Sequence, residues 1–420
     1  MARNRRNKRT IRKLTDIMSL KTFLILLAIL AVIILVCVGT ISYRHIQDEK
    51  LLAEQREELN KEIESIFEET VQNIADTNSN TRDNIIRLSA VGDILCGEEM
   101  LQDAYRQDLQ TYSFEPMFQN ITSFIQRSDI ILGTMETSFT ANSYSGYGNR
   151  NSPKEFAQAV KNSGVNLVSI STNHSLDYGV EGLQETKDYL EELGFTTVGD
   201  RLDEKTIEIK TVKDTRIAFL SYTYGVENQE NKSQEELESL NIFNKEIAKE
   251  ELEHANANAE FTIVIMHWGD DYANEPSQEQ KEIAEFLIDN GADVILGNHP
   301  AVIQPMEIKQ NKEGDNVFIA YSLGNYISSI NNENSKVELV LNIELRKRGE
   351  DGKVVLSKVD YTPIYVLDNG QQAENRYELI DMKGTAKAYA NGNTEIVSKE
   401  TYDQLLKGLD LLEEVVGQTE

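Results

Sequence analysis

The chain has 420 residues, 40% of them hydrophobic, and a formal charge of −28, which is enough length and apolar content to bury a sizeable core. The charge divides unevenly: residues 1–21 hold eight bases against one acid, +7, so residues 22–420 carry −35. A domain that acidic repels polyanions and argues against a general nucleic-acid binder. Its two cysteines are Cys37, inside a long apolar run, and Cys96, which excludes an intradomain disulfide.

In chain order, the basic tail of residues 1–21 leads into an apolar segment, FLILLAILAVIILVCVGTI at 23–41, inside a span assigned to 22–43. At about 1.5 Å per residue this run crosses a hydrocarbon core of about 30 Å. The preceding Lys/Arg excess keeps the N-terminus cytoplasmic and sends the rest of the chain across. A cleaved signal peptide fits less well, because its apolar core is shorter and ends in small residues. Here Val38, Gly39, Thr40, Ile41, Ser42 and Tyr43 at the end of the run make a poor cleavage site, and the bulky Val36 precedes Cys37 where a lipoprotein needs a small residue. The reading is a single-pass anchor in the cell membrane with the main domain extracellular.

Residues 44–84 then read as a helical stalk and linker. Leu52, Leu59, Ile63, Ile66 and Ile74 make a loose heptad-like stripe, first a spacer and second a seam where two copies of the chain pair as a homodimer. From residue 85, short apolar runs alternate with helical ones. Strands are expected at 85–92, 129–135, 165–171, 216–223, 261–267, 292–297 and 316–323, and helices at 153–164, 180–194, 233–258 and 277–291. Strands apolar on both faces alternating with helices predict an α/β domain with a largely buried sheet. Runs at 337–347 and 353–367 predict an antiparallel hairpin, and 401–416 a closing helix. The first part, 85–330, holds the chemistry; 331–420 completes the domain.

Polar residues fall where the expected strands end, the place where open α/β sheets build their sites. Asp93, Glu136, Asn173 with His174 and Asp177, His267, and His299 each follow an apolar run. Three of the five histidines take such positions. Carboxylate, amide oxygen and imidazole together suit Mn, Fe or Zn, as one ion or two. Cys96 reads as a small core residue. Trp268 reads equally as a stacking surface for substrate or a seal on the sheet, and His254 as a solvent-facing helix residue. No Walker, dinucleotide or nucleophile-elbow pattern is present.

At VGDILCG (91–97), ETS (136–138), STNHSLDYGVEGLQET (171–186), MHWGDDYANEPSQEQ (266–280), GADVILGNHPAVIQPMEI (291–308) and YSLGNYIS (321–328), the chain resembles the CapA, or PgsA-type, family. These are bacterial capsule and poly-γ-glutamate biosynthesis proteins whose domain looks like a calcineurin-like metallophosphoesterase. The resemblance implies a β-sandwich flanked by helices with metals at one edge. Asp93, Glu136, Asn173, His267 and His299 would be metal ligands, and His174 would face the substrate phosphate with Asp177 orienting it. The chemistry implied is attack of a metal-activated water on phosphorus. Partners would be an envelope polymer or its phosphorylated precursor, and membrane synthase subunits. Two departures stand out. Ala301 occupies the position where the family usually has a second imidazole after His299, and Leu95 stands two residues after Asp93 where the superfamily has another, which this family generally lacks. Without catalysis, the same protein would be a scaffold or polymer-binding subunit of a synthase.

Overall fold

A computed structural model describes residues 85–416 apart from 204, 205, 331, 333 and 350. The tail, anchor, stalk and linker expected over 1–84 lie outside the described residues. Among the described residues no helix is long and apolar enough to cross a membrane.

The strands, in chain order, are β1 (Ile86–Ile94), the short pair β2 (Tyr105–Arg106) and β3 (Thr111–Tyr112), β4 (Ile130–Met135), β5 (Leu167–Ser169), β6 (Thr196–Val198), β7 (Glu208–Val212) and β8 (Thr215–Thr223). There follow β9 (Phe261–His267), β10 (Val294–Asn298), β11 (Met306–Gln310), β12 (Asn316–Ala320), β13 (Asn325–Ile327), β14 (Val337–Lys347), β15 (Val354–Asp368) and β16 (Tyr377–Asp381). One sheet runs β16-β15-β14-β1-β4-β5-β6, with β13 also on β1; the second runs β11-β12-β10-β9-β8-β7. In the first sheet β1, β4, β5 and β6 are parallel. In the second, β8, β9, β10 and β12 are parallel. Their C-terminal ends therefore gather along one edge.

The sheets stack because their strands are apolar on both faces. Ile263 and Ile265 of β9 join Leu88, Ile130 and Leu167 of the first sheet in one buried cluster. Val264 and Met266, on the opposite face of β9, pack under helices Lys245–Asn258 and Gln278–Asp289. Helices Lys154–Ser163 and Gly179–Glu192 cover the first sheet through Phe156, Val160 and Leu183. Each such aliphatic or aromatic side chain contributes about 1.5–3 kcal/mol on full burial. The result is two sheets between two helical layers, the sandwich flanked by helices that the family resemblance implies, where the alternation of strands and helices alone predicts a single buried sheet. The segment after residue 330 is integral to it: β14 pairs with β1 and forms the expected hairpin with β15.

The strand ends are brought together by close backbone approach. A Cβ at Gly92 would lie 2.0 Å from the carbonyl oxygen of Gly324, and one at Gly297 1.9 Å from that of Tyr321. Only glycine lets these segments touch there; the neighbouring Asp93 N–H then donates to Gly324 O at 3.0 Å.

One expected element is corrected. The long helix over 233–258 is two helices, Gln234–Glu238 and Lys245–Asn258. Ser233 and Glu236 close a capping box on the first, and Asn244 caps the second through the N–H groups of Glu246 and Ile247. Between them the chain crosses the strand ends, with Leu240 buried, Asn241 N–H on Gly199 O and Thr223 N–H on Asn241 O. The apolar residues at 240–243 pin this crossing instead of continuing a helical stripe. The expected strands at 165–171 and 316–323 are also shorter, at Leu167–Ser169 and Asn316–Ala320.

Candidate metal centre

All the residues singled out at strand ends meet at the common edge. Asp93, near the end of β1, is fully buried. Its Oδ2 accepts the His299 N–H at 2.8 Å, while Oδ1 lies 3.5 Å from His267 Nδ1 with no hydrogen-bond partner. Glu136 follows β4, and its Oε1 is 3.8 Å from His267 Nε2. Asn173 follows β5 and places Oδ1 2.9 Å from the same Nε2, its amide orientation fixed because Nδ2 donates to Glu227 Oε1 at 2.9 Å. His299 follows β10 in a positive-φ conformation (φ 99°), its ring centroid 4.8 Å from that of His267 and 4.9 Å from that of Tyr224.

The two imidazoles have the protonation that metal binding requires, whereas Asp93 would give up a proton on taking a cation. Burial pushes the His267 imidazole down to about 4 and lowers that of His299, with the adjacent His267 adding to the effect. Both rings are therefore neutral near pH 7 and keep a lone pair. Burial pushes Asp93 up to about 7. Donor atoms of Glu136, His267 and His299 lie within 4.8 Å of one another, a group able to hold a metal ion. The Nδ1 atoms of both histidines and Oδ1 of Asp93 are buried without partners, which costs stability unless a cation or water satisfies them. The set fits a divalent ion of the Mn, Fe or Zn type.

His174 and Asp177 stand beside this group. His174 Nδ1 is 2.9 Å from Asp177 Oδ2, which also accepts the Arg150 N–H at 2.7 Å. A carboxylate on Nδ1 fixes the imidazole tautomer and leaves Nε2 for a ligand or substrate.

Other readings resolve as follows. Trp268 is buried, with Nε1 donating to Tyr321 O at 2.8 Å, so it seals the sheet. Cys96 is buried in the core and His254 is exposed. Asn325 donates from Nδ2 to Ala301 O at 3.3 Å and so steadies the loop after His299. Ala301 is itself buried at φ 57°.

Two charged residues here are not singled out by motif or spacing. Arg150 places Nη1 2.6 Å from Glu136 Oε1; it comes from a loop with no periodic pattern to locate it. Glu338, second residue of β14, is fully buried, and its Oε2 accepts the Asn325 N–H at 2.8 Å. It reads as a solvent-facing residue of an alternating strand, although the apolar Val340 on the same face signalled that this face is covered.

The chain matches the family described as "Bacterial capsule synthesis protein PGA_cap" over residues 87–330. It belongs to that family. Among PGA_cap relatives, it is 27% identical to "Capsule biosynthesis protein CapA" of Bacillus anthracis, over 63% of this chain and 65% of that protein. It therefore spans just under two thirds of that relative. It is 24% identical to "PGA biosynthesis protein CapA" of Bacillus subtilis (strain 168), over 66% of this chain and 72% of that one. Among solved structures, the calcineurin-like phosphoesterase YfkN from Bacillus subtilis is similar at 14% identity, covering 77% of this chain and 99% of that one, with a TM-score of 0.40. The NAD nucleotidase of Haemophilus influenzae is similar at 12% identity, covering 79% and 61%, with a TM-score of 0.42. Likenesses of that size carry no activity over to this PGA_cap protein.

Proposed function

We propose that this protein is a membrane-anchored, extracytoplasmic factor of capsule or poly-γ-glutamate synthesis or export, working as a metal-dependent phosphoesterase of the calcineurin-like type. The observation that carries the reading is the convergence of Glu136, Asn173, His267 and His299, two of them neutral buried imidazoles, on one edge of the sandwich. When bound there, a divalent ion supplies Lewis-acid stabilisation of phosphoryl charge and lowers the pKa of water. The protein's own residues do the rest. Asn173 and Glu136 orient the donor set. His174, its Nδ1 held by Asp177, presents Nε2 to the substrate, and as the imidazolium that Asp177 stabilises it would protonate the leaving oxygen. Trp268 and the buried strand ends exclude bulk water from behind. The stalk would set the site's distance from the membrane, where an envelope polymer or phosphorylated precursor emerges.

The test is metal analysis of the purified protein combined with hydrolysis of a simple phosphodiester such as bis(p-nitrophenyl) phosphate. Bound Mn, Fe or Zn with turnover that Glu136→Gln abolishes supports the reading; neither metal nor turnover ends it. A second reading, a non-catalytic synthase subunit, draws support from Ala301, which offers no donor where a second imidazole would stand. It predicts that Glu136→Gln leaves polymer production in cells intact.

A further inference from the structure

Arg150 has no part in the donor set, yet it sits at its centre. Nη1 lies 2.6 Å from Glu136 Oε1, the same oxygen that faces His267 Nε2 at 3.8 Å. The residue is held on both sides of its backbone: its N–H donates to Asp177 Oδ2 at 2.7 Å and its carbonyl accepts from Ser138 N–H at 3.2 Å. The next residue, Asn151, is fully buried, and its Oδ1 takes the Thr140 N–H at 2.8 Å. The Arg150 backbone is thus fixed; its side chain keeps 20% exposure, while Nε and Nη1 are buried without a hydrogen-bond partner and Nη1 is ion-paired to Glu136.

Two features make this position informative. In a two-ion centre, a bridging carboxylate is shared by two cations. Here Glu136 Oε1 is shared between the imidazole group and a guanidinium. Secondly, Leu95 and Ala301 are buried and apolar, and offer no donor where the resemblance would lead one to look for further imidazoles. A planar guanidinium carries five donors, and Glu136 engages one end, leaving others for phosphoryl oxygens, which arginine binds well. A domain carrying −35 needs such a local cation to accept an anionic group at all.

We propose that the centre holds a single divalent ion and that Arg150 supplies its second positive charge, binding the anionic oxygens of a phosphoryl substrate. This rests on the metal reading above, and the experiment separates the two. Full-length protein in detergent is loaded with Mn²⁺, ions per chain are counted by mass spectrometry, and orthophosphate binding is measured by calorimetry. The same is done for Arg150→Met and Arg150→Lys, with thermal unfolding as a check on folding. The expected result is about one ion per chain in the wild type. Arg150→Met keeps that ion and weakens orthophosphate roughly ten- to hundredfold, and Arg150→Lys recovers part of the loss. Two ions per chain, unchanged orthophosphate affinity in Arg150→Met, or joint loss of ion and anion as from a purely structural latch would each overturn it. Absence of any ion from the loaded wild type overturns the metal reading itself, and this proposal with it.

Discussion

Two carboxylates flank strand β10: the half-buried Asp293 just before its first residue, and the fully buried Asp93 bound to the N–H of His299 just after its last. Burial pushes both up to about 7. Their surroundings differ. Asp293 Oδ2 accepts the Thr262 N–H at 2.7 Å and ties the starts of β9 and β10 together. Asp93 instead leaves Oδ1 without a donor, 3.5 Å from an imidazole nitrogen that is also without one. A carboxylate with a raised pKa is thus no site by itself. What marks the C-terminal edge is the meeting of unpartnered acceptors with neutral imidazoles, which only a cation, a proton or water can reconcile.

The contrast is broken most directly by removing ligands. Glu136→Gln and His267→Ala should each reduce metal retention by more than the roughly 10–100-fold typical of outer-shell partners, whereas Asp293→Asn should leave it unchanged. Elemental analysis after dialysis reads this, and full retention in either ligand variant would erase the distinction. Next in size is a pH effect at the other end. Because Asp293 is raised in the folded protein, the folded state holds its proton between about pH 4 and 7 while the unfolded chain has released it. Stability from this group is therefore complete below about pH 4 and is lost progressively as pH rises through about 7. Urea unfolding of Asp293→Asn across that range should show a shallower decline than the wild type.

Glu338 tests the comparison from a third position, since it has a bonded Oε2 like Asp293 and an unpartnered Oε1 like Asp93. Glu338→Ala strands the Asn325 N–H and should cost about 1–2 kcal/mol, while Glu338→Gln keeps that bond and the metal. A drop in metal retention in the glutamine variant would move Glu338 into the site. The smallest expected effect comes from Ala301→His. Histidine tolerates the positive φ at 301 better than most residues, and the added imidazole should raise metal retention a few-fold, on the order of 1 kcal/mol. No change would show that position 301 does not face the ion.

Much of this was readable in advance. Runs such as FTIVIMH, buried over all seven residues, declare a strand covered on both faces, and a polar residue after each run marks where it ends. Hence Asp93, Glu136, Asn173, His174, His267 and His299 were assigned to one edge from order alone. The pairing of His174 with Asp177 is a local one, with only Ser175 and Leu176 between them in a turn. Less regular segments gave no such signal: β13, the break at 239–244 and the loop carrying Arg150 have no period from which to place them.

The amino-acid sequence by itself determined most of the strands and helices and the α/β class, because alternation and helical spacing are local properties, and it determined the kinds of ligand atom at the strand ends. Tertiary structure decided which of those atoms lie a few ångströms apart. It alone made the imidazoles neutral by burying them, seated Asp93 under the His299 N–H, and brought Arg150 and Glu338 beside residues far from them in the chain. Distances and burial arise from packing between sheets, and a one-dimensional pattern does not encode which side chain a loop will deliver across the edge.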